Sequence, residues 1–175
     1  MSALAFHDAH VIQGEQAVSD DVNATLQTVL GSCVSACLHD PVRRIGGMNH
    51  FLLPDDGTRT DMRYASAAME RLVNELLKKG AERGRLQAKL FGGARIMPNL
   101  PDIGRRNAES ALAFLRNEGI PCRSQSLGGS QARRVRFWPA SGRAQQLLIE
   151  RCDAAQAREI AAERPTRPAG SVELF

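Results

Sequence analysis

Two amphipathic stretches set among many short apolar runs constrain this chain more than any other feature. From Thr60 or Asp61 to Lys79, the residues Met62, Ala65, Met69, Leu72, Val73, Leu76 and Leu77 recur mainly at three- and four-residue spacing. That period predicts a helix, with Lys78 and Lys79 suited to its last turn and Gly80 to its end. A second helix is predicted from about Ile103 to Asn117, with Asp102 as its cap, Gly119 as its terminator, and Ala108, Ala111, Leu112 and Leu115 facing inward. The other apolar runs are short and bounded by turn residues. His10–Val18, Thr25–Leu30, Val34–Leu38 and Ile45–Leu53 precede the first helix; Leu86–Phe91 lies between the two; Ile120–Ser126, Arg133–Trp138 and Ala144–Ile149 follow. Gly31-Ser32, Asp40-Pro41, Pro54-Asp55-Asp56-Gly57, Gly92-Gly93, Gly128-Gly129 and Ser141-Gly142 punctuate them. Strands grouped before, between and after two helices predict a mixed α/β (α+β) single domain. Its sheet layers are expected to be largely antiparallel or mixed and flanked by two main helices, without regular βαβ alternation.

The expected organisation is an N-terminal arm over residues 1–9, a folded domain over 10–150, and a C-terminal helix with a mobile tail over 151–175. The helix would run from Cys152 to Glu163 and stop at Arg164-Pro165-Thr166-Arg167-Pro168. A length of 175 residues suits one domain with its own core. No stretch approaches the roughly 20 apolar residues that span a bilayer, and Met1–Ala9 lacks the basic flank and apolar run of a signal peptide. A cytoplasmic location without membrane insertion is therefore expected.

Charge is uneven: residues 1–80 carry 7 Lys/Arg against 10 Asp/Glu, and residues 81–175 carry 16 against 9. A basic half raises the question of nucleic acid. Only one Tyr and one Trp are present, and the arginines alternate with apolar residues instead of forming a block. A solvated basic face, or a surface for an acidic protein partner, is the expectation, with no nucleic acid. The cysteines Cys33, Cys37, Cys122 and Cys152 include no Cys-x-x-Cys, and the histidines His7, His10, His39 and His50 show no recognisable metal spacing with them. Neither a metal nor a cofactor is expected.

The chemistry concentrates at Leu30-Gly31-Ser32-Cys33 and, seventeen residues after the cysteine, at His50 in Gly46-Gly47-Met48-Asn49-His50. A free cysteine is commonly a small buried hydrophobe, and Cys37 and Cys122 are read that way. Cys33 differs because Gly31-Ser32 permits a sharp bend that turns the thiol toward a cleft. A turn also frees backbone N–H groups, which would lower the thiol pKa and bind an oxyanion. An imidazole within reach would form a thiolate–imidazolium pair and serve as general base and acid. A third group is needed to hold the imidazole's tautomer, and Thr28, Thr25, Ser32 and Asn49 are all near enough in sequence. His39-Asp40 abuts Pro41 and reads as a solvated turn, while His7 and His10 fall in or beside the arm.

These residues resemble a known family. Thr28-Val-Leu-Gly-Ser-Cys33-Val-Ser-Ala-Cys-Leu38, Asp40-Pro41 and Ile45-Gly-Gly-Met-Asn-His50-Phe-Leu-Leu-Pro54 are similar to CheD, the chemoreceptor glutamine deamidases of chemotaxis. Lys89-Leu-Phe-Gly-Gly-Ala94, Ile103-Gly104 with Arg106-Asn107, and Gly128-Gly129 with Arg133–Phe137 resemble the same family's later motifs, so the likeness covers about residues 10–150. It implies a cysteine hydrolase that converts glutamine side chains of methyl-accepting chemotaxis receptors to glutamate and ammonia through a Cys33 thioester. Glutamate methyl ester hydrolysis falls within the same chemistry. The resemblance implies Cys33 as nucleophile, His50 as base and a threonine shortly before the cysteine as third member. Thr28 matches best and Thr25 lies close. It also implies receptors as protein substrate, a CheC-type phosphatase as a partner, and Arg105, Arg106, Arg133, Arg134 and Arg136 as a surface for acidic receptor helices. Two rival readings use the same residues: a non-catalytic adaptor binding receptors or a phosphatase, and a thiol redox protein using Cys33 and Cys37.

Overall fold

A computed structural model describes residues 8–53, 61–150 and 172–175. Among these residues, ten strands form two five-stranded sheets, and two α-helices cover one of them. Strands β1 (Asp8–His10), β3 (Thr25–Leu30), β8 (Ala132–Trp138), β9 (Arg143–Ile149) and β10 (Val172–Leu174) make the first sheet in the order β1-β3-β8-β9-β10. Strands β2 (Gln16–Ser19), β5 (Ile45–Asn49), β4 (Val34–Asp40), β6 (Gln87–Gly92) and β7 (Cys122–Leu127) make the second in the order β2-β5-β4-β6-β7. Pairing is antiparallel except at β1–β3 and β6–β7, so both sheets are mixed. The fold class expected from the sequence is the one observed.

Strand β4 explains the layering. Val34, Ala36 and Leu38 join a core with Met69, Leu72 and Leu76 of α1 (Asp61–Lys78) and Ala111 and Leu115 of α2 (Ile103–Glu118). Cys37, on the alternate face, joins a second core with Leu26 and Leu30 of β3, Met48, Phe91, Val135 and Phe137. A strand buried on both faces reads as a continuous apolar run, because its period-two signal is lost when neither face meets water. The helix α2 begins and ends where expected: Asp102 Oδ1 accepts from Arg105 N at 3.1 Å, and Gly119 ends it at φ +66°. The expected cap of α1 at Thr60 or Asp61 and the side chain of Met62 lie outside what is described, as does the expected helix from Cys152 to Glu163.

Five expectations are corrected. His10–Val18 is not one strand; it divides into β1 and β2, which belong to different sheets, because Gly14 at φ +88° turns the chain between them. The end of the chain, expected to be mobile, forms β10 over Val172–Leu174 against β9, and the Phe175 ring packs edge-on to Phe91 at 5.3 Å. His39-Asp40 is the end of β4 and no solvated turn. Asp40 is fully buried and accepts from the N–H groups of Val42, Arg43 and Glu82 at 2.9–3.0 Å and from the Arg85 guanidinium at 3.0–3.2 Å. Cys122, expected in the core, is exposed, since β7 is an edge strand. Arg133, expected on the surface, is buried, donating to Ser126 O at 2.6 Å and to Gly128 O.

Candidate active site

Consecutive strands β3 and β4 lie in different sheets, so the connection Gly31-Ser32-Cys33 crosses the rim of the sandwich. Three contacts fix this crossing by its carbonyls. Gly31 O accepts from Ala94 N at 3.0 Å, Ser32 O from Asn107 Nδ2 at 2.7 Å, and Cys33 O from Gly93 N at 2.8 Å. Among the described residues, the N–H groups of Ser32 and Cys33 donate to no other residue. The turn is thus held by its acceptors and presents its donors. The motif residues downstream serve this end. At Gly92, φ is +110° and a Cβ would stand 2.1 Å from Cys33 O, so no other residue fits there. At Gly104 a Cβ would meet Gly93 O and Ala94 O at 2.4–2.5 Å, so α2 lies close against the same segment. Asn107 then reaches Ser32 while its Oδ1 accepts from Leu53 N at 2.9 Å.

Alternation places the thiol and the imidazole on one face. Val34 pairs antiparallel with Phe51, and both belong to the helix-side core. Cys33 and His50 each precede a member of that pair, so both project to the other face, toward β3. There Thr28 Oγ1 lies 2.8 Å from His50 Nδ1 and donates to Val11 O at 2.7 Å. Because the hydroxyl proton goes to the carbonyl, Thr28 Oγ1 accepts from Nδ1–H, and the lone pair is left on Nε2. Among the described residues, His50 Nε2 is buried and makes no hydrogen bond. Burial lowers the imidazole pKa, against smaller raising effects from Val11 O and Glu15.

The other nominees for the third position go elsewhere. Thr25 donates to Asp8. Asn49 inserts its side chain between β4 and β5, Oδ1 accepting from Ala36 N at 2.8 Å and Nδ2 contacting Met69 Sδ at 3.6 Å. Ser32 is bound through its carbonyl. His39 Nε2 donates to Ala140 O at 3.2 Å, away from the site.

Cys33 is half-buried, and its Sγ lies 3.9 Å from Gln13 Oε1. The expected lowering of its pKa does not occur. Burial pushes the thiol up to about 11, with only a partial offset from its own N–H. Burial thus disfavours the charged form of the thiol and of the imidazole alike. Beside His50 a cleft of about 270 Å³ is lined by Gln13–Gln16, by Asn49–Leu52 and by Tyr64, Ala68 and Arg71 of α1; Cys33 is not among its lining residues. Gln13 and the α1 residues carried no sequence signal for this position. Gln13 was obscured because the two-sheet partition of its surroundings is invisible in a linear pattern. Among the described residues, no three His, Cys, Asp or Glu side chains converge as a metal site requires. Cys33, Cys37 and Cys122 are free thiols.

A half-buried thiol and an oriented imidazole on one face of the sandwich rim are the elements that a cysteine–histidine site would use. The chain belongs to the CheD family. The family description "CheD chemotactic sensory transduction" matches residues 52–147. The chain is 54% identical over 172 residues to a probable chemoreceptor glutamine deamidase CheD of Caulobacter sp. (strain K31), covering 95% of this chain and 92% of that one. It is 49% identical over 179 residues to a protein of the same description from Rhizobium leguminosarum bv. trifolii (strain WSM2304), covering 99% and 96%. Among solved structures it is similar to Bacillus licheniformis hypothetical protein YfiH at a TM-score of 0.44 and 18% identity, covering 64% of this chain and 50% of that one.

Proposed function

We propose that this chain is a chemoreceptor glutamine deamidase, with Cys33 as nucleophile, His50 as general base and acid, and Thr28 as the hydroxyl that orients the imidazole. The observation that carries this reading is the Thr28 Oγ1–His50 Nδ1 hydrogen bond. It leaves a buried, unpartnered Nε2 on the same face as Cys33. The descriptions of the relatives supply the substrate class.

Because the thiol rests protonated, deprotonation accompanies attack. Sγ bonds to the glutamine carboxamide carbon as its proton passes to His50 Nε2, and the carbonyl π pair moves onto oxygen. The N–H groups of Ser32 and Cys33 are suited to that oxyanion. Collapse restores the carbonyl and breaks the C–N bond; the nitrogen takes the proton from His50 and leaves as ammonia, giving a thioester. Water then adds to the thioester, yielding a proton to Nε2. The C–S bond breaks, the thiol is reprotonated, and a glutamate side chain departs. A glutamate methyl ester offers the same acyl carbon, with methanol as leaving group.

Receptors are the protein substrate on this reading, and the family resemblance adds a CheC-type phosphatase as a partner. Of the arginines considered for docking, Arg134 and Arg136 are half-buried on β8, Arg136 lies 5.9 Å from the Trp138 ring, and Arg105 pairs with Glu109. No described helix is long and apolar enough to cross a membrane, which accords with action on the cytoplasmic part of a receptor. Mass spectrometry of receptor peptides, after incubation with wild-type and Cys33→Ala chains, tests the assignment. Glutamine-to-glutamate conversion by the wild type alone is expected. Equal conversion by Cys33→Ala would remove Cys33 as nucleophile, and no conversion by either would favour the adaptor.

A further inference from the structure

We propose that the Gln13 carboxamide is the side-chain donor to the oxyanion formed when Cys33 attacks its substrate. The proposal rests on the hydrolase reading above and adds a catalytic residue to it. Gln13 occupies the second position of a tight turn, closed by Glu15 N donating to Ile12 O at 2.9 Å, with Gly14 at φ +88° in the third position as such a turn requires. This turn is registered on the machinery from both sides. Gly14 N donates to His50 O at 2.8 Å, His50 N donates to Glu15 O at 3.1 Å, and Val11 O receives the Thr28 hydroxyl. The main chain of Gln13 therefore moves only with His50 and Thr28.

Its side chain is exposed, lines the cleft that contains His50, and has Cys33 Sγ as its one described hydrogen-bonding contact, at 3.9 Å. An exposed glutamine with no local partner otherwise extends into water, since ordering its side chain costs rotamer freedom. A half-turn about the last side-chain torsion exchanges Oε1 for Nε2 in nearly the same place. Once Sγ has bonded to the amide carbon, the oxyanion is one bond beyond that carbon. An N–H group at the Gln13 terminus is then within donor range of it, about 2.7–3.1 Å. The carboxamide is neutral, so it donates without disturbing the imidazole's charge. The N–H groups of Ser32 and Cys33 approach from the other loop that crosses between the sheets, so each crossing contributes donors.

The test compares wild type, Gln13→Ala and Gln13→Glu in deamidation of a receptor fragment, together with alkylation of Cys33 by iodoacetamide. Gln13→Ala is expected to lower kcat about 100-fold with little change in KM. Gln13→Glu is expected to be worse, because a carboxylate offers no donor and repels the developing charge. Alkylation of Gln13→Ala should stay within about twofold of wild type, since displacement at a saturated carbon forms no oxyanion; a merely structural role would depress both reactions. Wild-type kcat in Gln13→Ala, or a parallel fall in alkylation, would overturn the proposal. So would conversion of Gln13 itself to Glu in peptide maps, which would make it an internal substrate. No ammonia from the wild-type chain would remove the deamidase reading and the proposal with it. An active wild type matched by Gln13→Ala would remove the proposal alone.

Discussion

Strand β4 ends in two buried polar sites that differ in one respect. At its C-terminal end every neighbour of Asp40 is a donor. Burial alone would raise the carboxyl pKa, but Arg85 and the N–H groups of Glu82, Arg43 and Val42 outweigh it and hold the group far below the ordinary carboxylate range. At its N-terminal end, among the described residues, His50 Nε2, Ser35 Oγ and the N–H of Ser32 have no hydrogen-bond partner, and the N–H of Cys33 meets only its own thiol. The first corner is satisfied and inward; the second is held rigid by its carbonyls and leaves donors and a lone pair unused. Unused polar groups inside a fold cost stability, and a ligand that paired with these would recover part of it.

Several substitutions would break or sharpen that contrast. His50→Gln removes the unused lone pair and should cost about 10³-fold in deamidation while the fold persists, measured by ammonia release. Thr28→Val removes the imidazole's 2.8 Å partner and leaves Nδ1 only its longer 3.2 Å contact with Val11 O, so it should cost about tenfold to a hundredfold in kcat, along with about 1 kcal/mol in a denaturant midpoint from the lost hydroxyl hydrogen bonds. A pH series tests the resting protonation states. Burial lowers His50, so the imidazole stays neutral, and active as a base, to below the ordinary 6.5. The acid limb of kcat/KM should lie below that value. Alkylation of Cys33 in the free protein should keep climbing toward pH 11, following a thiol at about 11; a plateau near about pH 7 would restore the thiolate–imidazolium pair. Smallest is Ser35→Ala. Its hydroxyl is buried without a partner, so the change should be neutral or stabilising by under about 1 kcal/mol in thermal unfolding.

Much of this was legible in the chain. The period of α1 and α2, the cap at Asp102 and the stop at Gly119 are local signals, and the structure has them where propensity puts them. The turn at Gly31-Ser32 and the spacing to His50 singled out Cys33 and His50 as the candidate side chains. Thr28 could be ranked above Thr25 only by resemblance; the structure separates them because β3 alternates, with Leu26 and Leu30 facing the inter-sheet core and Thr28 between them. What stayed hidden depends on how the strands are assembled into sheets. Asp40 looked solvated because Arg85 is 45 residues away. Arg133 looked like surface because its acceptors, Ser126 in β7 and Gly128 in the turn after it, reach it only through the way β7 and β8 are placed in different sheets. The raised thiol pKa was missed because a turn suggests free N–H groups, whereas burial between two sheets follows only from the sheet assignment.

The contrast between the two ends of β4 is tested most directly by one paired measurement. Ammonia release per folded molecule and the thermal midpoint are measured for Cys33→Ala and Asp40→Asn. Cys33→Ala should keep the wild-type midpoint within a few degrees and lose at least about 10⁴-fold in activity. Asp40→Asn should lose about 3 kcal/mol, roughly 10 °C in Tm, and keep full activity in the molecules that remain folded. Comparable activity in Cys33→Ala, or an Asp40→Asn chain that is stable but inactive, would contradict the division of this strand into a reactive end and a structural one.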